Sequence, residues 1–250
     1  MNYRNDAVIC CIALNEEKYI DEWTSYHLKL GFSKIYIYDN SQENVLAYLQ
    51  SDKIHVTHFP GKLRQWESYN NFLQNYGMNH RWCAIIDCDE FIVLKKHSNI
   101  LDFLQIHLQS GALGINWVLF GSNNHQVYTN EPVLKRFTRR QHDVNRHIKC
   151  IICCSDVLEY NHPHHPTVML TGTNVKDVYG NNIYGPFNYH GDDKICQINH
   201  YFTKSKEEFE RKRLRGNADC LHIRKPEEFE QHDFNDVEDF TAMHFLYGET

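Results

Sequence analysis

Along the first ninety positions, apolar and polar residues alternate in blocks. Residues 7–14, AVICCIAL, form an unbroken apolar run with the length of a strand buried on both faces. Asn15 then stands at an N-cap position before EEKYIDEWTSYHLKLG, whose first turn carries acids where the helix dipole favours them. Tyr19, Ile20, Trp23, Tyr26, Leu28 and Leu30 make one broad apolar face, and Gly31 is a stop. The pattern then predicts a strand over 34–39 (KIYIYD), a short helix from Val45 to Leu49 and a third strand over 53–59. A helix over 62–77 follows, with Leu63, Trp66, Tyr69, Leu73 and Tyr76 near helical spacing, and then a fourth strand, RWCAIID, over 81–87. This rhythm implies an α/β fold with a doubly wound, mostly parallel sheet flanked by helices. Such sheets bind ligands beyond the carboxyl ends of their strands, where Asn15, Asp39 and Asp87 all fall.

The second half is less regular. A helix is expected over 99–111, a strand over 112–122, and strand-like pieces at 133–137, 148–153 and 167–171. Residues 172–196, rich in Gly, Asn and Asp, read as a long loop. A strand from Cys196 leads to Ser205, a cap with Glu208 at the capping-box position, and then to a basic helix. No repeat or linker interrupts the chain, so 1–250 is read as one domain with an irregular C-terminal half. The acidic end, residues 226–250, is expected to pack as a helix, contact a partner or continue into further sequence.

Composition narrows the function. A net charge of −6 without a long run of one sign argues against a nucleic-acid partner, which needs a basic face. No stretch reaches the roughly 18 apolar residues of a membrane span, though a peripheral membrane contact is compatible with the sequence. Nine cysteines, several inside apolar runs, read as small buried hydrophobes in a reducing compartment. With no secretory signal, the expected location is cytoplasmic or the cytosolic face of a membrane. Cys150 and Cys153 have CxxC spacing, but no second CxxC accompanies them. The tract NHPHHP at 161–166 is rich in metal-binding side chains, yet its prolines prevent helical spacing, and it reads as a loop lining a site.

The sharpest chemical signal is WCAIIDCDE, an apolar run ending in Asp87, Asp89 and Glu90. On a strand end, residues i and i+2 point to one side, so Asp87 and Asp89 are expected to approach one cation while Glu90 points elsewhere. Two carboxylates leave open positions on a hard octahedral ion, and phosphate oxygens commonly fill them. Neither G-x-G-x-x-G after the first strand nor a P-loop is present. A nucleoside diphosphate neutralised by a divalent cation is therefore the best-fitting ligand. Asp39 either accepts from a base or ribose hydroxyl or opens the DNS turn.

Taken in order, ALNEEKYIDEWTSYHLKLGFSKIYIYDNS, WCAIIDCDEFI, INWVLFGSN and INHYFTKSKEEFERKRLRG resemble the family 2-like and family 92-like glycosyltransferases of GT-A fold, over roughly residues 7–216. The resemblance implies a GT-A-type, Rossmann-like sheet with a nucleotide-binding half (1–95), an acceptor-side, metal-completing half (96–220) and a C-terminal acidic segment (221–250). It implies a nucleotide-sugar donor, UDP-sugar ahead of GDP-sugar, and transfer to a hydroxyl of a glycan or other acceptor. By the same resemblance Ala13, Asn15, Glu17 and Asp39 face the nucleoside, and Asp87 lies near ribose or metal. Asp89 is then the main metal ligand and His200 a further one, a donor set that suits Mn2+ better than Mg2+. Gln65 reaches the nucleotide. From the basic stretch Lys204, Lys212, Arg213 and Arg215, one or two side chains meet the diphosphate, with Lys204 and Arg215 the expected pair. Trp117 offers either a sugar platform or core packing. Family 2-like enzymes invert the anomeric centre, which requires a general base, here Glu90 or Asp192.

Three rival readings stand beside this one. A metal-dependent hydrolase would build a di-metal site from Asp87, Asp89, His162, His164, His165 and His200, but the histidine tract lacks a fixed-geometry motif. A catalytically inactive glycan-binding module would keep the fold without the chemistry. A nucleotidyltransferase would usually show a glycine-rich, basic N-terminal loop, which ALNEEKY is not.

Overall fold

A computed structural model describes residues 4–216, 218 and 223–248. The chain opens with β1 (Arg4–Ala13), α1 (Ile20–Leu30), β2 (Lys34–Asp39), β3 (Ile54–His58), α2 (Gln65–Asn75), β4 (His80–Ile85) and β5 (Glu90–Leu94). It continues through α3 (Ile100–His107), β6 (Ala112–Leu119), α4 (Val133–Arg136), β7 (Arg139–Arg140) and β8 (Ile148–Cys153). Short pieces follow, β9 (Val157–Glu159), β10 (Val168–Met169), β11 (Val175–Lys176) and β12 (Asn182–Ile183). β13 (Cys196–His200), α5 (Lys206–Arg215), α6 (Glu227–His232), β14 (Val237–Glu238) and α7 (Thr241–Tyr247) complete it.

The central sheet is mixed and mostly parallel. β3, β2, β1 and β4 lie side by side in parallel, β8 enters antiparallel to β4, and β6 pairs antiparallel to β8. The end of β6 swings away to pair with β13, which in turn pairs antiparallel with β5. The chain winds outward from β1 to β3 and then returns to the other side of β1 for β4. That reversal places a switch point between β1 and β4, where a crevice opens beyond their carboxyl ends.

Side chains of the central strands alternate between two cores, as the period of two requires. Ala7, Ile9 and Cys11 face one core with Trp23 and Tyr26 of α1 and Phe103 of α3. Val8, Cys10 and Ile12 face the other with Tyr69, Phe72 and Leu73 of α2. Cys150 and Cys153 divide in the same way, one into each core, so this CxxC cannot close on one metal. The described cysteines are free and buried, and Cys220 lies outside the described residues. No helix among the described residues is long and apolar enough to cross a membrane.

Side chains of α1 cover the edge of β5 that no strand pairs. Trp23 Nε1 donates to Glu90 O at 2.7 Å, and Tyr26 Oη donates to Ile92 O at 2.9 Å. Nδ1 of fully buried His27 donates to Trp23 O at 2.9 Å, while its Nε2 accepts from Ile92 N at 3.4 Å. These bonds meet backbone needs that a neighbouring strand would otherwise meet, and they require His27 to be neutral.

Two local expectations are corrected. Asn15 does not cap α1. It is exposed at φ 53°, and the helix begins at Ile20 after a turn over residues 16–19. Residues 133–137 are not a strand. Val133–Arg136 form one helical turn because the Glu22 carboxylate accepts from the Val133 and Leu134 backbone N–H groups. The stop at Gly31 stands, with φ 106° and its N–H returned to the last turn, as does the Ser205–Glu208 capping box. In the acidic end α7 packs against the first core through Ala242, Met243 and Phe245.

Burial pushes the His27 pKa down to about 3, against 6.5 for a free imidazole. Below pH 6.5 the unfolded chain therefore takes up a proton that the folded chain refuses. Stability is complete above that pH and falls towards pH 3, by up to about 1.4 kcal/mol per pH unit from this residue. Urea unfolding at pH 7.5, 6, 5 and 4 should show this loss, and His27→Gln should make the acid limb shallower.

Candidate functional site

At the switch point β4 ends in a tight turn over residues 86–89. Glu90 closes it, its Oε2 accepting from Asp87 N at 2.9 Å while its own N donates to Asp87 O at 3.1 Å. The residues are in a turn, so the same-side rule of an extended strand does not apply. Asp87 and Asp89 both line a cleft of about 190 Å3, but each has its own partners.

Asp87 Oδ1 accepts from Gln65 Nε2 at 3.0 Å, and its Oδ2 accepts from Lys149 Nζ at 2.8 Å. Lys149 comes from β8, its side chain only 1% exposed, and its Nζ also lies 3.9 Å from Glu90 Oε2. Burial works against its charge, but Asp87 and Glu90 outweigh burial and hold its pKa above the usual lysine range. Burial pushes the Glu90 carboxyl well up, with Lys149 opposing.

Asp89 is oriented the other way. Lys212 of α5 donates to its Oδ2 at 2.6 Å, and His200 Nε2 of β13 stands 3.6 Å from its Oδ1. Burial alone would raise the Asp89 pKa, but Lys212, His200 and Lys204 together hold it well below the carboxylate range. Burial lowers the His200 pKa against the pull of Asp89 and leaves its imidazole neutral. Its Nδ1 is buried without a hydrogen-bond partner among the described residues, and its ring packs 4.3 Å from Trp117. Among the described residues no group of three His, Cys, Asp or Glu side chains is placed to hold a metal, so Asp87, Asp89 and His200 do not form a ready triad.

The remaining expected site residues separate by position. Gln65 and Arg215 line the cleft, Arg215 with its guanidinium on Leu14 O and Glu16. Asn15, Glu17 and Lys204 line a neighbouring cavity, and Arg215 borders both. Ala13 is buried in β1, its carbonyl accepting from Asn40 N. Asp39 is fully buried, both oxygens accepting from the Ser41 and Leu46 backbone N–H groups, which makes it the anchor of the following turn. Glu90 has no exposed surface, and Asp192 is bonded to Tyr179 at a separate, shallow pocket. Neither expected base therefore reaches the cleft. Of the histidine tract, His164 lines it.

Lys149 and Glu16 were missed in the sequence. For Lys149 a signal existed, a single lysine inside the apolar run IKCIIC, which has to find a buried counter-charge. Lys149→Met would leave Asp87 and Glu90 sharing a buried turn without that ammonium. It should cost about 3 kcal/mol or more in urea unfolding, and adding Glu90→Gln should recover part of the loss.

Comparison with known proteins follows the same lines. A protein-family model described as glycosyltransferase family 92 matches residues 5–228. A castor bean (Ricinus communis) protein named as a family 92 glycosyltransferase is 25% identical over 225 residues, covering 86% of this chain and 38% of that protein. A rice (Oryza sativa subsp. japonica) protein with the same family name is 25% identical over 112 residues, covering 42% of this chain and 19% of that protein. The chain thus spans less than two fifths of the length of these curated relatives. With the match running over nearly all of its length, the chain belongs to glycosyltransferase family 92.

Proposed function

We propose that this protein moves a sugar from a nucleoside-diphosphate sugar, a UDP-sugar ahead of a GDP-sugar, to a hydroxyl of a glycan or other acceptor. The observation that carries the reading is the Asp89–His200 pair at the carboxyl edge of the sheet, beside the β1–β4 switch point and facing a cleft with Lys149 and Arg215 in its walls. An ionised carboxylate and a neutral imidazole are the protonation states that metal ligation needs. Here the neighbouring cations favour the first against burial, and burial favours the second against the pull of Asp89.

Asp89 and His200 would hold the divalent cation, Mn2+ before Mg2+ given the imidazole. When bound, the cation offsets charge on the departing nucleoside diphosphate. Asp87 offers an acceptor to ribose or base, and Gln65, whose two N–H groups go to Asp87 and Tyr69, would hold it in place. Lys149, Lys212 and Arg215 add positive charge that attracts and orients a diphosphate. Inversion would require a proton acceptor, and since neither Glu90 nor Asp192 opens on the cleft, that role falls to another group. The hydrolase reading needs the tract histidines beside Asp87 and Asp89, whereas His162 and His165 pack on each other at 4.6 Å and no metal-holding cluster forms among the described residues.

Calorimetric titration of UDP and GDP, each with and without Mn2+, tests this directly. UDP should bind only with Mn2+, and Asp89→Asn or His200→Gln should weaken it by about tenfold or more. If neither nucleotide bound under any metal condition, the catalytically inactive glycan-binding module would become the better reading.

A further inference from the structure

Beyond a wall made by Phe202, Lys212 and Arg215 lies the second cavity, of about 240 Å3, between the β1–α1 turn and the start of α5. The wall is fixed by its own bonds. Lys212 Nζ donates to Asp89 and to Phe202 O, and Arg215 donates to Leu14 O and Glu16. Lys204 lines this cavity from the segment between β13 and α5. The residue is 6% exposed, and its backbone is in the left-handed region at φ 50°. Its ammonium lies 4.6 Å from the centre of the Tyr19 ring and has no hydrogen bond or ion pair among the described residues.

Most carboxylates around it are already engaged, although the second oxygen of Glu16 is buried without a hydrogen-bond partner among the described residues. Glu16 is paired with Arg215, Asp89 with Lys212 and Glu207 with Arg211. Glu208 is held by Arg136 through two bonds at 2.8 and 2.9 Å. Glu17 is exposed. Among the described residues, the ammonium of Lys204 therefore faces this cavity without an ion pair, on a residue that is otherwise nearly buried. A ring face is a weak partner for an ammonium, and a bound anion would give it a charge-assisted hydrogen bond as well.

We propose that this second cavity is an oxyanion subsite, with Lys204 as its cation, for a carboxylate or phosphate group carried by the sugar acceptor. This rests on the transferase reading above, which gives the first cleft to the donor's diphosphate. Because the wall between the two is bonded in place, a group at Lys204 is a second anion, held alongside the donor. The sequence placed Lys204 on the donor diphosphate; the geometry points to the neighbouring compartment.

The test titrates D-glucuronate, inorganic phosphate and, as a neutral control, D-glucose into the intact protein, with and without saturating UDP and Mn2+. Lys204→Asn is the variant, since Asn accepts a positive φ readily, and thermal unfolding checks its fold. Glucuronate or phosphate should bind the wild type in the presence of UDP, glucose should bind at least about tenfold more weakly, and Lys204→Asn should lose about tenfold in anion affinity. Anion binding that UDP abolishes would return Lys204 to the donor diphosphate and overturn the proposal. So would equal affinity for glucuronate and glucose, which needs no variant to detect, or unchanged anion binding in Lys204→Asn. Failure of UDP itself to bind would sink the donor reading and, with it, the assignment of the anion to an acceptor, while the Lys204→Asn comparison would still decide whether the anion subsite exists.

Discussion

A lysine ammonium held out of water between two carboxylates lets the turn after β4 carry three acids in four positions. Without Lys149, Asp87 would lose its buried counter-charge and Glu90 the cation that opposes its protonation. With it, the Glu90 carboxylate can turn inward and accept from Asp87 N, which sets the turn and the start of β5. The register of β5 against β13 then places His200 opposite Glu90, and Tyr201 N donates to Asp89 O, so the imidazole arrives beside the Asp89 carboxylate. The side chains of α1 complete the arrangement on the free edge of β5. Removing one partner of a buried pair usually costs more than the pair contributes. The site is therefore most sensitive at a residue on β8, far in sequence from the acids it serves.

Charge is sorted by compartment. Acids at the sheet's carboxyl edge are each matched by a base from a different element, Asp87 by β8, Asp89 and Glu16 by α5, Glu208 by α4. The first three pairs join the N-terminal half to β8 and α5 across the crevice, and the last ties α4 to α5. They also explain why α5, basic throughout its last turns, has its Lys212 and Arg215 turned inward rather than solvated as a surface face. Among the described residues Lys204 stands outside this matching, in the cavity beside the cleft.

Much of the architecture was legible in the order of residues. Apolar runs at 7–14, 34–39 and 148–153 became central strands, Gly31 and the Ser205–Glu208 box ended and began helices, and the Asp87–Asp89 pair fell at the cleft. These signals are local: a period of two or 3.6, a cap, a residue that tolerates positive φ. The errors came where a distant side chain decided. Val133–Arg136 turned helical because Glu22, more than a hundred residues earlier, caps it. Asp39 takes the turn role that the sequence left open for it, while Glu90 holds the turn after β4 and Asp192 sits at another pocket.

Sequence by itself thus determined the strand–helix rhythm, the carboxyl edge at which the cleft opens, and the residue types available there. Only the tertiary structure decided which of those residues face one another, because pairing across β4, β8, β13 and α5 depends on topology and not on spacing. Lys149 reaches Asp87 from 62 positions away and Lys212 reaches Asp89 from 123, separations at which no periodic pattern carries information. The burial that holds Asp89 among cations and keeps His200 neutral arises when those elements close over the crevice and exclude water.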